Sequence, residues 1–257
     1  MSWFKLQQHV EPYLIRIETQ QGSGTGFLFA YNPTDTLAAI ATAAHVIDDA
    51  HEWKQPIKLI HNKTGQMAFV TEDMRVVFVD NKRDSAVILV AKSLLPLPTT
   101  TFPLADSAKF KKVGVELGWT GFPSVAYPNL CFFTGRVSSF LGRQDCYLID
   151  GVAINGVSGG PVFCELKDGN PEIVGIISAY MPNRSGNTPG LLRAQDITYF
   201  DSTLKTLRSL HEAKEKEKSQ DQKAATTASA GSPASPAEQS EPEQSDAQQV
   251  APPDSQR

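Results

Sequence analysis

The chain has 257 residues, a formal net charge of −4 and 20% charged residues. This acidic balance argues against a nucleic-acid or membrane-surface partner, which would need a basic face. No stretch approaches the roughly 18 apolar residues of a membrane span, so a soluble protein of one large domain or two small ones is expected.

Short β-strands are predicted along most of the chain. Their residues are rich in Val, Ile, Phe and Tyr, and Gly, Pro, Asn and Asp separate them at a spacing typical of a barrel or sandwich. The predicted strands cover residues 13–19, 26–31, 37–43, 57–61, 75–79, 86–90, 114–119, 130–140, 146–150, 160–166 and 172–180. Because no long amphipathic helix interrupts them, an α/β sheet is not expected.

Three later segments differ from this pattern. Residues 93–112 are rich in proline and threonine, which indicates a connector between two halves. The first predicted helix covers residues 201–218, where leucines spaced three residues apart form one apolar stripe. From Ser219 onwards the composition is polar and rich in Ala, Ser, Pro and Gln, so we expect a disordered tail.

The segment from Gly156 to Pro161, with the sequence GVSGGP, carries the strongest chemical signal. Glycine lets the backbone adopt conformations that a side chain forbids, and a loop that points successive N–H groups into one hollow needs that freedom. Ser158 would be the nucleophile, and the N–H groups of Gly156 and Ser158 would form an oxyanion hole. An ordinary glycine-rich turn is the alternative.

Serine chemistry also needs an imidazole that accepts the hydroxyl proton and a carboxylate that holds the imidazole in one tautomer. His45 ends an apolar strand among small residues, which leaves room for a substrate. Asp84 directly precedes an apolar run, whereas Asp80, the competing candidate, lacks such a run. Taken alone, His45 could be an ordinary core or surface histidine, and Asp84 could be an ordinary turn aspartate.

The three segments together resemble a known family. TAAH at 42–45, DSAVIL at 84–89 and GVSGGP at 156–161 resemble the signatures of the chymotrypsin-like (trypsin-like) serine proteases, in the order His, Asp, Ser. GSGTGF at 22–27 resembles a strand of the bacterial branch that includes the Deg/HtrA proteases. The polar tail is not expected to form the PDZ domain found in that branch.

The resemblance covers roughly residues 11–200 and implies an all-β fold of two six-stranded antiparallel β-barrels with the active site between them. It implies a serine endopeptidase in which Ser158 attacks, His45 is the general base and Asp84 orients the imidazole. No cofactor and no metal are expected. The predicted parts are an N-terminal barrel at 1–105, a C-terminal barrel with a terminal helix at 106–218, and the tail at 219–257.

The same resemblance suggests where the substrate side chain binds. The base of the primary specificity pocket would be Val152, six residues before the nucleophile, and Ser178, Ala179 and Tyr180 would form its wall. Because position 152 is not a carboxylate, cleavage after Arg or Lys is not expected. The Tyr180 ring would narrow the pocket, so we expect cleavage after small or medium apolar residues.

Two other functions stay open at this stage. A catalytically silent homologue could bind extended peptides in the cleft, and an esterase-like hydrolase would share the chemistry but lacks the strand–turn–helix setting of a GxSxG elbow. Residues 1–14 lack the apolar core of a signal peptide, so we expect a cytoplasmic protein. The substrate would be a polypeptide. A regulatory protein partner is expected, because an unrestrained cytosolic protease would endanger its own cell. Either the oxyanion loop is misordered until the partner binds, or the tail and the partner together gate access.

Overall fold

A computed structural model describes most of the chain up to residue 216. The described residues are 3–105, 110–152, 154–165, 171–182, 190–198, 200, 202–206, 208–209, 212–213 and 216. The chain separates into two compact units, Met1–Glu212 and Ala213–Arg257. Every described residue of the predicted 201–218 helix is helical. The predicted tail at 219–257, and the boundary residues 106 and 218, lie outside the described residues.

The first half of the larger unit contains two short helices and seven strands. The helices are α1 (Trp3–Val10) and α2 (Ala44–Glu52), and the strands are β1 (Leu14–Glu18), β2 (Ser23–Tyr31), β3 (Leu37–Thr42), β4 (Ile57–His61), β5 (Met67–Val70), β6 (Arg75–Asp80) and β7 (Ser85–Ala91). The strands form one antiparallel sheet in the order β5-β4-β1-β2-β3-β7-β6. Short 3₁₀ helices cover Glu11–Tyr13, Glu72–Met74 and Lys92–Leu94.

The second half contains six strands that close into a barrel. They are β8 (Glu116–Gly121), β9 (Cys131–Leu141), β10 (Cys146–Asp150), β11 (Pro161–Glu165), β12 (Pro171–Met181) and β13 (Leu191–Asp196), and a 3₁₀ helix covers Ser124–Ala126. Their order is β10-β13-β12-β11-β8-β9, and the β9–β10 pair closes the ring. Trp119, Tyr147 and Val162 are fully buried in its interior.

The burial of small and β-branched residues explains the sheet of the first half. Strand β3, with the sequence LAAIAT, is buried from its second residue to its last, and it pairs with β2 on one side and β7 on the other. Alanine by itself is depleted in strands, so pairing on both edges and burial of the side chains, rather than intrinsic propensity, hold β3 at the centre of the sheet. Helix α1 packs onto the same core through Leu6 and Val10.

The predicted fold class is confirmed, with differences in its elements. The structure is mostly β, with one closed six-stranded barrel and one seven-stranded curled sheet where the sequence predicted a second six-stranded barrel. The described part of segment 93–112 adds no strand to either sheet, although Leu104 forms one isolated bridge with Ile173.

The prediction that the first helix starts at residue 201 is wrong, because α1 and α2 precede it. His45 consequently lies in the first turn of α2 rather than at the end of a strand. Strands β5 and β13 were not predicted either. Strand β13 ends in Gln195 and Asp196, two fully buried polar residues that mask its strand pattern.

Candidate active site

Ser158 lies in the loop between β10 and β11, and this loop is held from two sides. The Ser158 carbonyl oxygen accepts a hydrogen bond from the Thr25 N–H (2.8 Å), and the Gly159 N–H donates to the Ile177 carbonyl (2.7 Å). Gly156 and Gly159 have φ values of +95° and +84°, in the left-handed region that glycine favours. A Cβ at Gly156 would meet the Phe122 carbonyl oxygen, so the glycine is also required for space.

Two main-chain donors of this loop are unused. Neither the Gly156 N–H nor the Ser158 N–H donates a hydrogen bond to any group among the residues that the structure describes. Both residues line a cavity of about 400 Å³. A pair of N–H groups without partners, next to a serine hydroxyl, can receive the negative oxygen that forms when the hydroxyl attacks a carbonyl.

His45 lines the same cavity, and Asp84 holds it in place. The His45 Nδ1 atom lies 2.9 Å from both carboxylate oxygens of Asp84, and the His45 main-chain N–H donates to Oδ1 at 3.0 Å. Because a carboxylate accepts, Nδ1 carries the proton, and Nε2 is left to act as a base. Within the described part of the chain, no hydrogen bond joins His45 to Ser158.

A third group contacts the carboxylate of Asp84. The Ser178 hydroxyl donates to Asp84 Oδ2 at 2.7 Å. Burial would raise the pKa of Asp84, but the hydrogen bonds from His45 and Ser178 outweigh burial and hold that pKa below its usual value. The hydrogen bond to Asp84 raises the pKa of His45 above its usual value, although burial acts in the opposite direction.

The competing carboxylate, Asp80, has a different partner. Its Oδ2 atom accepts a hydrogen bond from Arg83 Nη1 at 2.9 Å, and it makes no contact with His45. Asp84 has a φ of +50° at the start of β7, and this turn directs its carboxylate to the first turn of α2. The structure therefore brings Asp84, and not Asp80, to the imidazole.

The residues predicted for substrate binding are Val152, Ser178, Ala179 and Tyr180, and they lie apart from the cavity of Ser158 and His45. None of them is among the described residues that line the 400 Å³ cavity. Val152 is 57% exposed, and the Tyr180 side chain is 42% exposed and accepts a hydrogen bond from the Gly190 N–H. Ser178 is buried against Asp84, and Ala179 pairs with Arg193 across the β12–β13 ladder. Their role in binding stays a prediction.

Sequence reasoning missed Thr25. This residue is fully buried, and its hydroxyl donates to the Gly156 carbonyl (2.8 Å) and accepts from the Phe122 N–H (3.1 Å). Its main-chain N–H also holds Ser158, as described above. The glycines that flank Thr25 in GSGTGF indicate close backbone approach. The segment itself does not show that the partner is Gly156, which lies 131 residues further along the chain.

No metal site is apparent in the described part of the chain. No group of three or more His, Cys, Asp or Glu side chains there is arranged to hold a metal ion. None of the helices described is long and apolar enough to cross a membrane.

Comparisons with known proteins concern the family and the fold. A family described as "Trypsin-like peptidase domain" matches residues 24–176. The chain superposes on the serine endoprotease from Yersinia pestis with a TM-score of 0.60 at 18% identity, covering 81% of this chain and 67% of that one. No curated protein sequence gives a significant match.

A second solved structure is Rv3671c from M. tuberculosis H37Rv. Its inactive serine-to-alanine mutant matches with a TM-score of 0.56 at 16% identity, covering 79% of this chain and 90% of that one. Another inactive form of the Rv3671c protease matches with the same TM-score at 20% identity. At these identities the structural likeness concerns the fold alone.

Proposed function

Because the chain belongs to the trypsin-like peptidase domain family, we propose that it is a serine endopeptidase that works through an acyl-enzyme intermediate. One observation carries the proposal. An imidazole held by a carboxylate lines the same cavity as a serine whose loop offers two main-chain N–H groups without partners. Of the groups described in this structure, these are the ones that acyl transfer from a serine requires.

The proposed reaction proceeds in two steps. Ser158 Oγ attacks the substrate carbonyl carbon while His45 Nε2 takes the hydroxyl proton, and Asp84 stabilises the imidazolium that forms. The N–H groups of Gly156 and Ser158 bind the negative oxygen. His45 then gives its proton to the leaving amine, which departs and leaves an ester on Ser158. A water molecule repeats the sequence to release the acid and restore the serine.

No hydrogen bond between His45 and Ser158 is described in the structure, and the proposal does not need one in the free enzyme. Catalytic hydrogen bonds are often long or poorly aligned in the free enzyme and tighten when substrate binds.

A fluorophosphonate probe tests the proposal, because it reacts only with an activated serine. We expect the wild type to be labelled, Ser158→Ala to be unlabelled but folded, and Ser138→Ala, which removes an exposed hydroxyl on β9, to be labelled like the wild type. An unlabelled wild type would favour the peptide-binding alternative. Labelling that survives Ser158→Ala would place the nucleophile elsewhere.

We further propose cleavage after small or medium apolar residues. The proposal rests on Val152, which offers no charge for Arg or Lys, and on the ring of Tyr180, which would narrow the predicted pocket. Profiling the wild type with a peptide library tests this specificity, and dominant cleavage after Arg or Lys would contradict it. The regulatory partner stays a prediction, and full-rate cleavage of unfolded casein by the purified chain alone would remove the need for it.

A further inference from the structure

A second cavity, of about 300 Å³, shares no lining residue with the cavity of Ser158. It lies where the β6–β7 turn, the β9–β10 turn and strand β13 meet. Its lining residues are Lys82, Arg83, Arg143, Gln144, Asp145 and Arg193. Four of these six side chains are cationic, although the chain as a whole carries a net charge of −4.

The cationic side chains of this basic cavity are only partly neutralised. Arg83 is paired with Asp80 (2.9 Å) and Asp145 (3.2 Å). In the part of the chain that the structure describes, Lys82 and Arg143 form no ion pair, and both are exposed at the cavity. Two carboxylates therefore face four cations.

Arg193 is the fourth cation of the basic cavity. Its Nη2 atom donates to Gln195 Oε1 at 3.3 Å, and its guanidinium also acts on the Cys146 thiol, where it opposes the rise in pKa that burial causes. Neither of these neighbours is a carboxylate. The excess of cations over carboxylates makes the cavity favourable for a negatively charged group.

The basic cavity lies next to the proposed catalytic groups. Arg83 directly precedes Asp84, and Arg193 pairs across the β-ladder with Ala179, the residue after Ser178. The hydrogen bond between Ser178 and Asp84 (2.7 Å) joins these two neighbours. Of the lining residues, Arg83 is therefore next in sequence to one end of that hydrogen bond, and Arg193 lies on the strand paired with the other end.

The same strand indicates which part of a substrate would reach the cavity. Strand β12 carries Ser178–Tyr180, the predicted wall of the primary specificity pocket, and that pocket takes the residue on the N-terminal side of the scissile bond. An extended peptide advances about 3.3–3.6 Å per residue, so side chains two to four residues N-terminal to the scissile bond lie roughly 7–14 Å from it along the peptide.

We propose that the basic cavity is a specificity subsite that binds an Asp or Glu side chain of the substrate, about two to four residues N-terminal to the scissile bond. The proposal rests on the proposed peptidase function and extends it to a substrate class. Guanidinium groups match a carboxylate with two parallel hydrogen bonds, which gives geometric selectivity over a neutral amide of the same shape.

A binding experiment tests the subsite without requiring turnover. Peptides that differ only in Glu or Gln at those positions are titrated against the full-length chain carrying Ser158→Ala, and binding is followed by fluorescence anisotropy. We expect the Glu peptide to bind about tenfold more tightly, the effect of one charge-assisted hydrogen bond. Salt at about 1 M should weaken this preference.

Charge reversal locates the preference. Adding Arg143→Glu or Lys82→Glu should reduce it to about twofold or less, since each removes a cation and adds a carboxylate at the cavity. Both residues are exposed, so these variants are expected to fold. Lys63→Glu, the same change in the exposed β4–β5 turn, should leave the preference intact.

Several results would overturn the subsite. Equal binding of the two peptides would do so, as would a preference that survives both charge reversals or that Lys63→Glu abolishes equally. Wild-type turnover of the two peptides separates this proposal from the previous one. Cleavage with no preference for Glu contradicts the subsite alone, whereas a cavity-dependent binding preference without any cleavage contradicts the peptidase and keeps the subsite.

Discussion

Replacing Thr25 by valine tests how the nucleophile loop is held in place. Valine keeps the shape of threonine and removes only the hydroxyl. That hydroxyl lies in a fully buried position between the Gly156 carbonyl and the Phe122 N–H, which it joins through hydrogen bonds of 2.8 and 3.1 Å. In the variant, both main-chain groups would be left without a partner in a place that water does not reach.

The expected loss of stability follows from these two groups. Leaving a buried donor or acceptor unsatisfied costs about 1–3 kcal/mol each, so the free energy of unfolding should fall by about 2–6 kcal/mol. Domains have about 5–15 kcal/mol in total, so we expect the variant to fold, with its melting temperature lowered by roughly 4–24 °C at about 2–4 °C per kcal/mol. Thr25→Ser keeps the hydroxyl and loses one methyl group, at a cost of about 1 kcal/mol.

Activity should also fall, because the Gly156 carbonyl that loses its partner belongs to the residue that supplies one proposed oxyanion donor. Removing such a donor outright costs about 2.7–4 kcal/mol of transition-state stabilisation. The hydrogen bond from the Thr25 N–H to the Ser158 carbonyl is main-chain and remains. We therefore expect kcat to fall by roughly ten- to a hundredfold, less than for complete removal of the donor, with KM little changed.

Two measurements check these expectations. Denaturant unfolding is followed in the Ser158→Ala background, which prevents self-digestion, and steady-state kinetics are measured with active Thr25→Val and Thr25→Ser well below their melting temperatures. A serine variant as impaired as the valine variant would show that the methyl group matters rather than the hydroxyl. A valine variant with lowered stability and wild-type kcat would separate the hydroxyl from the oxyanion loop, and the reasoning would be refuted.

Three more predictions concern the groups around Asp84. Because the pKa of His45 is raised and the general base must be neutral, kcat/KM should rise with pH with a midpoint above about 6.5, and Asp84→Asn should move that midpoint down. Because the pKa of His45 is higher in the folded state, His45 contributes stability that is fully present below about pH 6.5 and is lost as the pH rises through its folded-state pKa. Comparing the free energy of unfolding of the wild type and His45→Gln across about pH 5–9 measures this contribution. Ser178→Ala removes a hydrogen bond to a charged carboxylate, so kcat should fall about tenfold in steady-state assays, and an unchanged kcat would show that Asp84 is oriented without Ser178.

Strands with strong local patterns could be predicted from the sequence. The predicted strands at 57–61 and 146–150 coincide with β4 and β10, because β-branched and aromatic residues bounded by turn residues define a strand locally. Helix α2 could not be found in this way. It follows β3 after a single residue, and a short apolar run does not distinguish a strand from a helix.

Strand β13 was missed for a tertiary reason. Its buried polar residues are stable because distant groups satisfy them: Gln195 Nε2 donates to the Asp145 carbonyl (2.6 Å), and the Tyr147 hydroxyl donates to Asp196 Oδ2 (3.0 Å). In a sequence, polar residues such as these are typical of a loop, because the distant partners that allow them to be buried in a strand are not visible there. The same limit hid the basic cavity, whose arginines come from three separate segments.

The sequence by itself determined the fold class, the family resemblance and the residue types available for serine chemistry, because strand patterns and glycine-rich turns are local constraints on the backbone. Only the tertiary structure decided that Asp84 and not Asp80 meets His45, and that Thr25 holds the loop of Gly156, since sheet register and packing bring together residues 39 and 131 positions apart. No local pattern encodes such a distance. These contacts form only when two sheets bury their apolar faces, because the polar groups buried with them then need hydrogen-bond partners from distant parts of the chain.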